Sequence, residues 1–313
     1  MSRNPGDGEK GVKIFMTGGT GFVGRALSAH LVEQGHQIVV LTRSGQGHKD
    51  LPKGIQLIEG DPVEGGQWQG AVRGCEVAIN LAGESIFSRW SKKKKEAILA
   101  SRVMTTRRLV EALEERRGEE TLLISTSAVG CYGPRGDEEV DEESLPGDDF
   151  LAQVAVRWEQ EAMKAQDMGF RVVIARFGIV LGKGGGALAK MLPAFKYYLG
   201  SPLGSGNQWF PWIHIKDLVR IYSFFMKNGK IKGPFNCTAP RPVTNRQFCE
   251  TLAQVMGKPL LLPPVPGFLI RMLLGEFGSM LLTGQKALPK RLQVLGFKFL
   301  FPGLKEALED LLW

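Results

Sequence analysis

Short apolar runs alternate with longer runs in which apolar and polar residues mix. "VKIFMTG" (12–18), "QIVVLTR" (37–43), "IQLIEGD" (55–61), "VAINLAG" (77–83), "TLLISTS" (121–127) and "RVVIARF" (171–177) have strand length and β-rich composition. They lack an in–out alternation, as strands buried on both faces do. Helical spacing occupies most of the intervals. In 22–35, Val23, Leu27, His30 and Leu31 fall on one face and Gly35 stops the helix. Repetition of β-α-β predicts a parallel sheet with helices on both faces. After about residue 178 the rhythm changes to Gly, Pro and aromatic loops such as "GKGGGAL" and "LGSPLGSGNQWFPW". The expected fold is therefore α/β, a Rossmann-type doubly wound parallel sheet over 12–178, with later returns to the sheet. A small C-terminal substrate lobe is drawn mainly from 179–313, and a disordered leader covers 1–11.

The stretch "VPGFLIRMLLGEFGSMLL" (265–282) is the most apolar, but Arg271, Glu276 and internal glycines interrupt it. A bilayer span needs about 20 predominantly apolar residues. A buried helix in the lobe is the expectation here, ahead of one lying on a membrane surface. The N-terminus lacks the apolar core of a secretory signal. Four cysteines, at 75, 131, 237 and 249, form no C-x-x-C pair, which points to reduced thiols and a cytoplasmic protein. The four histidines have no metal-ligand spacing, so no metal is expected. The chain carries a net charge of +8, which suits anionic ligands, nucleotides among them. The "SKKKKEA" run (91–97) lies in a helical pattern backed by Ile98, Leu99 and Val103 and reads as a solvated face. No nucleic-acid motif accompanies it.

"TGGTGFVG" places glycines at 18, 21 and 24 between a predicted strand and a predicted helix that Phe22 and Val23 open. In a dinucleotide site, Gly18 makes the sharp turn, Gly21 admits the pyrophosphate and Gly24 lets helix and sheet pack closely. Free amides at the helix start then face the phosphates. No G-K-[ST] follows, which excludes a P-loop. The second strand ends in Thr42 and Arg43 instead of a carboxylate. An Arg near that position pairs with the 2′-phosphate, so NADP(H) is favoured over NAD(H). Asp61 is a candidate for the adenine amino group. Leu81, Ala82 and Gly83, with two small residues, let a cofactor lie against the backbone.

Together "TGGTGFVG", "NLAGE", "STSAVGCYG", "RFGIVLG" and "PWIHIKDL" resemble the extended short-chain dehydrogenase/reductase superfamily, the NAD-dependent epimerase/dehydratase group. "WSKKKKEAILASRVMTTRRLVEAL", "GSGNQWFPWIHIKDL" and "LTGQKALPKRLQVLGFKF" are similar to an atypical branch with a C-terminal extension, whose substrate is generally unassigned. The resemblance implies an NADP(H)-dependent oxidoreductase or epimerase acting on a small molecule. It also implies that Arg102 flanks the nicotinamide side.

The superfamily's Tyr-x-x-x-Lys relay is missing. Alignment on Glu159 puts Leu151 and Ala155 at those positions, and none of the four tyrosines is followed by a lysine four residues on. Thr126, Ser127 and Tyr132, at the end of the fifth strand, are expected to face the nicotinamide. Ser127 and Tyr132 are the candidate catalytic residues, with water as the other carrier of the proton. Ser127 matches the superfamily's hydroxyl position only if the loop holds one extra residue; strict counting lands on Ala128. Arg176, Gln208, Trp212 and His214 are the candidate substrate residues. The resemblance gives His214 and Asp217 a bracing role at a strand–helix turn, which stands beside a catalytic one for His214. The missing pair leaves a second reading open: a dinucleotide-binding regulator or scaffold without turnover, in a branch with relatives linked to cell or plastid division.

Overall fold

All six apolar runs become strands of one parallel sheet, and a seventh joins from the later part of the chain. The computed structural model describes residues 11–45 and 51–313; the expected leader, apart from Gly11, lies outside them. In chain order the elements are β1 (Lys13–Thr17), α1 (Phe22–Glu33), β2 (Gln37–Thr42), β3 (Gln56–Glu59), β4 (Val77–Asn80), α2 (Lys92–Leu113), β5 (Leu122–Ala128), β6 (Glu139–Val140), α3 (Phe150–Asp167) and β7 (Arg171–Phe177). There follow β8 (Ile179–Gly182), α4 (Gly186–Lys196), β9 (Trp209–Phe210), β10 (Trp212–His214), α5 (Ile215–Lys227), β11 (Gly233–Cys237), β12 (Val243–Thr244) and α6 (Asn245–Val255). The chain closes with α7 (Gly267–Leu274), α8 (Glu276–Leu281), β13 (Lys286–Ala287), α9 (Lys290–Val294) and α10 (Leu304–Leu312).

The sheet order is β11-β7-β5-β4-β1-β2-β3, with every pairing parallel. The winding reverses between β1 and β4, and a crevice opens beyond the carboxyl ends of strands at such a reversal. Successive residues of each strand serve opposite cores. Ile14, Met16, Ile38, Val40 and Ile79 pack against α1 and α5. Phe15, Val39, Leu41 and Ala78 pack against α2 and α3. This two-sided burial is why the strands read as unbroken apolar runs. A third core holds Leu181, Leu188, Trp212, Phe248, Leu252 and Leu308, and joins α4, α6 and α10 around the β8–β10 pair.

The segment expected as one buried helix differs from that expectation. Gly275, at φ +62°, splits it into α7 and α8. Only Ile270 of α7 is buried, whereas α8 buries Phe277. The lysine run also departs from a simple solvated face. It forms the first turn of α2, capped by Ser91, whose hydroxyl accepts the Lys94 amide at 3.2 Å. Lys92 and Lys93 are exposed, but Lys94 pairs with Glu84 and Lys95 with Glu276.

Candidate functional site

The glycine loop sits at the β1–β4 reversal. Gly18 has φ +69°, and a Cβ there would lie 2.7 Å from the Ala82 amide nitrogen. The turn thus needs glycine twice, for its dihedral and for its contact with the strand beside it. The Gly21 amide donates to the Gly18 carbonyl at 3.0 Å, and the Arg25 amide to the Gly21 carbonyl at 2.9 Å, which begins α1. A Cβ at Gly24 would collide with the Gly18 carbonyl and come within 2.6 Å of Gly19 Cα. At Gly21 the added atom would meet only the Gly18 oxygen, at 3.2 Å. No side chain caps α1 and no acid occupies its first turn. Its leading amides are left for an anion, and a dinucleotide pyrophosphate fits this cradle.

Buried hydrogen bonds fix the loops on either side. Thr17 Oγ1 donates to Asn80 Oδ1 at 2.7 Å, and Asn80 Nδ2 donates to Thr106 Oγ1 at 2.7 Å. Arg102 reaches under the β4–α2 loop and donates to the carbonyls of Glu84 and Ile98 at 3.1 and 3.0 Å. Its guanidinium lies over Trp158 and would touch a Cβ at Gly83. Burial lowers its pKa to about 10. Arg102 therefore braces the loop that carries Leu81, Ala82 and Gly83. Val23 is half-buried in α1, and Phe22 beside it packs against the 182–186 turn. At the end of β2, Thr42 is buried and binds its own turn through Ser44, while Arg43 is exposed. Asp61 is exposed and accepts the Val63 amide at 3.0 Å.

The candidate catalytic groups belong to a buried network on the α3 side of the sheet. Ser127 Oγ donates to Glu159 Oε1 at 2.6 Å. Arg176 makes two bonds to the Glu159 carboxylate, at 2.9 and 2.8 Å. Its third nitrogen donates to the Tyr132 hydroxyl at 2.9 Å, and that hydroxyl donates to Asn236 Oδ1 at 2.7 Å. Ser127 is 1% exposed and Tyr132 is fully buried. Burial drives the Tyr132 phenol well above its ordinary pKa range. These placements depart from the expectation that both hydroxyls face a nicotinamide: each is already committed inside the protein. Arg176 likewise serves Glu159 and Tyr132. Strand alternation sends Thr126 to the other side of the sheet, where its hydroxyl meets Tyr222 at 3.1 Å. Leu151, Ala155 and Glu159 occupy successive turns of α3, and Ala155 is buried with Tyr132. A cleft of about 460 Å³ borders Glu159, Arg176 and Cys131, and none of its lining residues comes from the glycine loop.

The candidate substrate residues brace loops. Gln208 donates to the carbonyls of Leu203 and Leu281 at 3.0 and 3.1 Å, and Trp212 is 1% exposed in the third core. His214 caps α5: its Nδ1 accepts the Lys216 amide at 3.0 Å, and its Nε2 lies 3.2 Å from Asp310. The ring stacks on Phe301, and burial lowers its pKa to about 4. Asp217 accepts the Leu300 and Phe301 amides at 2.7 and 2.9 Å. His214 is thus neutral near pH 7 and structural in its contacts.

Two groups near the crevice escaped the sequence reading. Glu84 and Lys94 pair directly beside the Ala82–Gly83 loop. Trp90 and Phe87, in the same loop, pack on Phe150 of α3 and Phe277 of α8 at centroid distances of 5.3–6.1 Å. The apolar letters in "ESIFSRW" were a signal that this loop packs on a neighbour, but not on which.

Comparison with known proteins agrees with this architecture. The chain is 41% identical over 312 residues to an epimerase family protein SDR39U1 homolog, chloroplastic, of Arabidopsis thaliana, covering 97% of this chain and 88% of that one. It is 39% identical to the epimerase family protein YfhF of Bacillus subtilis, covering 96% and 98% of the two chains. The crystal structure of human epimerase family protein SDR39U1 (isoform 2) with NADPH superposes with a TM-score of 0.84 at 33% identity, covering 96% of this chain and 98% of that one. Residues 265–311 match a domain of unknown function, DUF1731. Residues 14–238 match the NAD dependent epimerase/dehydratase family, and the chain belongs to that family.

Proposed function

We propose that this protein binds NADP(H) across the β1–β4 crevice and acts as an oxidoreductase or epimerase on a small molecule. The observation that carries the reading is the glycine cradle: Gly18 and Gly24 leave no room for a Cβ, a Cβ at Gly21 would meet only the Gly18 oxygen, and α1 presents uncapped amides. When bound, the nicotinamide supplies or accepts hydride. Arg43 holds the 2′-phosphate, its exposed side chain standing where an NAD-specific site has a carboxylate. That the human relative was crystallised with NADPH supports the same choice. Ser127 and Tyr132 do not carry the proton; they hold Glu159, Arg176 and Asn236 in place. Water is then the proton carrier. Four free, buried cysteines suit a reducing, cytoplasmic setting.

A second reading, dinucleotide binding without turnover, is favoured by one fact: both relay positions are aliphatic and both nearby hydroxyls are engaged. Titration calorimetry with NADPH, NADP⁺, NADH and NAD⁺ tests the part common to both. NADPH binding should weaken about 10- to 100-fold in Arg43→Ala, as loss of a charge-assisted contact predicts, with NADH binding unchanged. Equal affinity for NADH and NADPH in the wild type would refute the 2′-phosphate assignment. Tight binding without hydride exchange, across carbonyl and sugar-nucleotide panels, would select the second reading.

A further inference from the structure

The surface formed by α7 and the segments beside it is apolar and bare. Phe268, Met272 and Leu273 are 65%, 62% and 66% exposed. Leu261 and Leu262, just before α7, and Tyr197, Tyr198 and Leu199, just after α4, are exposed as well. These segments run side by side. The Val265 amide donates to the Pro202 carbonyl at 2.9 Å, and Ser201 Oγ to the Pro263 carbonyl at 2.6 Å. Lys258 Nζ lies 4.3 Å above the Tyr198 ring and donates to its hydroxyl at 2.9 Å. Single exposed apolar residues are ordinary, but a contiguous group marks an interaction surface.

Backbone conformation supports the same point. Tyr198, at φ +63°, is the one residue other than glycine with positive φ among the described residues. It stands just past α4, where glycine commonly ends a helix without strain. Here the strained position holds an aromatic ring at the surface.

Charge identifies the occupant. Residues 168–216 contain no Asp or Glu, and neither do residues 251–275. The same stretches supply Lys196 at the end of α4 next to Tyr197, Lys258 over the Tyr198 ring and Arg271 within α7. We propose that this face docks on an anionic membrane surface, with the apolar side chains entering the interfacial layer and the cations meeting lipid headgroups. Tyrosines suit that boundary, having an apolar body and a polar tip. A second copy of the chain fits less well, because a two-fold contact repeats the same cationic patch on both sides. The attachment is peripheral, and no helix among the described residues is long and apolar enough to cross a membrane.

Vesicle co-sedimentation of the full chain tests this. The protein should pellet with phosphatidylcholine vesicles containing phosphatidylglycerol, less so as salt rises, and stay in solution with phosphatidylcholine alone. Lys258→Glu with Arg271→Glu should weaken binding at least about tenfold. Phe268→Ser with Met272→Ser should release the protein while thermal melting stays near the wild type, since both side chains are exposed. Three outcomes would overturn the proposal: no pelleting with anionic vesicles, equal pelleting with neutral ones, or a solution dimer that the Phe268 and Met272 substitutions dissociate.

Discussion

Gly24 shows how one missing atom organises the site. Its Cβ would enter the space of the Gly18 carbonyl and Gly19 Cα, both backbone atoms that have little room to yield. Gly24→Ala should therefore destabilise the fold by about 1–3 kcal/mol, as overpacking does, and loosen the phosphate cradle as well. Thermal melting with and without NADPH separates the two effects. A variant that melts like the wild type and still gains the full NADPH-induced shift would show that α1 can move away from the loop at no cost. Ser127 makes the opposite point. Its hydroxyl is present in the sequence, but its availability depends on Glu159, which stands 32 residues away and accepts its hydrogen bond.

At the level of elements, the Ser127–Glu159–Arg176–Tyr132–Asn236 network ties β5, α3, β7 and β11 together at one end of the sheet. The Glu159 and Arg176 side chains are 15% and 12% exposed, so each charge depends on the other for solvation. Arg176→Met should cost about 3–5 kcal/mol, because it leaves Glu159 buried and uncompensated. Ser127→Ala, which removes one bond to a charged acceptor, should cost about 1.5–3 kcal/mol. Urea unfolding measures both, and a change below about 0.5 kcal/mol for Arg176→Met would mean that Glu159 is solvated by other means. The strands and α1 were legible because hydrophobic period and glycine punctuation are local signals. The exposure of α7 was not: its composition demands cover, yet only Ile270 of that helix finds it in the fold.

Across the whole molecule, α10 and the segment before it are fastened to α5 by polar contacts. Asp310 meets His214 and Lys216, and Asp217 receives the amides of Leu300 and Phe301. The burial of His214 at this contact makes stability depend on pH. His214 titrates near 4 in the folded protein because burial disfavours its charged form, against about 6.5 unfolded. Between those values the unfolded chain binds a proton that the native state does not. Stability should thus be level above about pH 6.5 and fall as pH drops toward 4, by on the order of 3 kcal/mol from this residue. His214→Asn keeps a side-chain acceptor at the helix cap and removes the titration. Its unfolding free energy should depend less steeply on pH in that window; an unchanged slope would assign the acid sensitivity to other groups.

The amino-acid sequence by itself determined the parallel sheet, the glycine cradle between β1 and α1, and the family, since each rests on residues close together in the chain. Tertiary structure alone decided which polar groups remain free for chemistry. Tyr132 meets Asn236, 104 residues away, and α2 lends Lys95 to Glu276, 181 residues away. Hydropathy and spacing state what a side chain needs, a partner or cover from water. Which distant element supplies it is set only when the chain closes on itself, because a buried hydroxyl or charge is stabilised by whatever group the fold brings within hydrogen-bond reach.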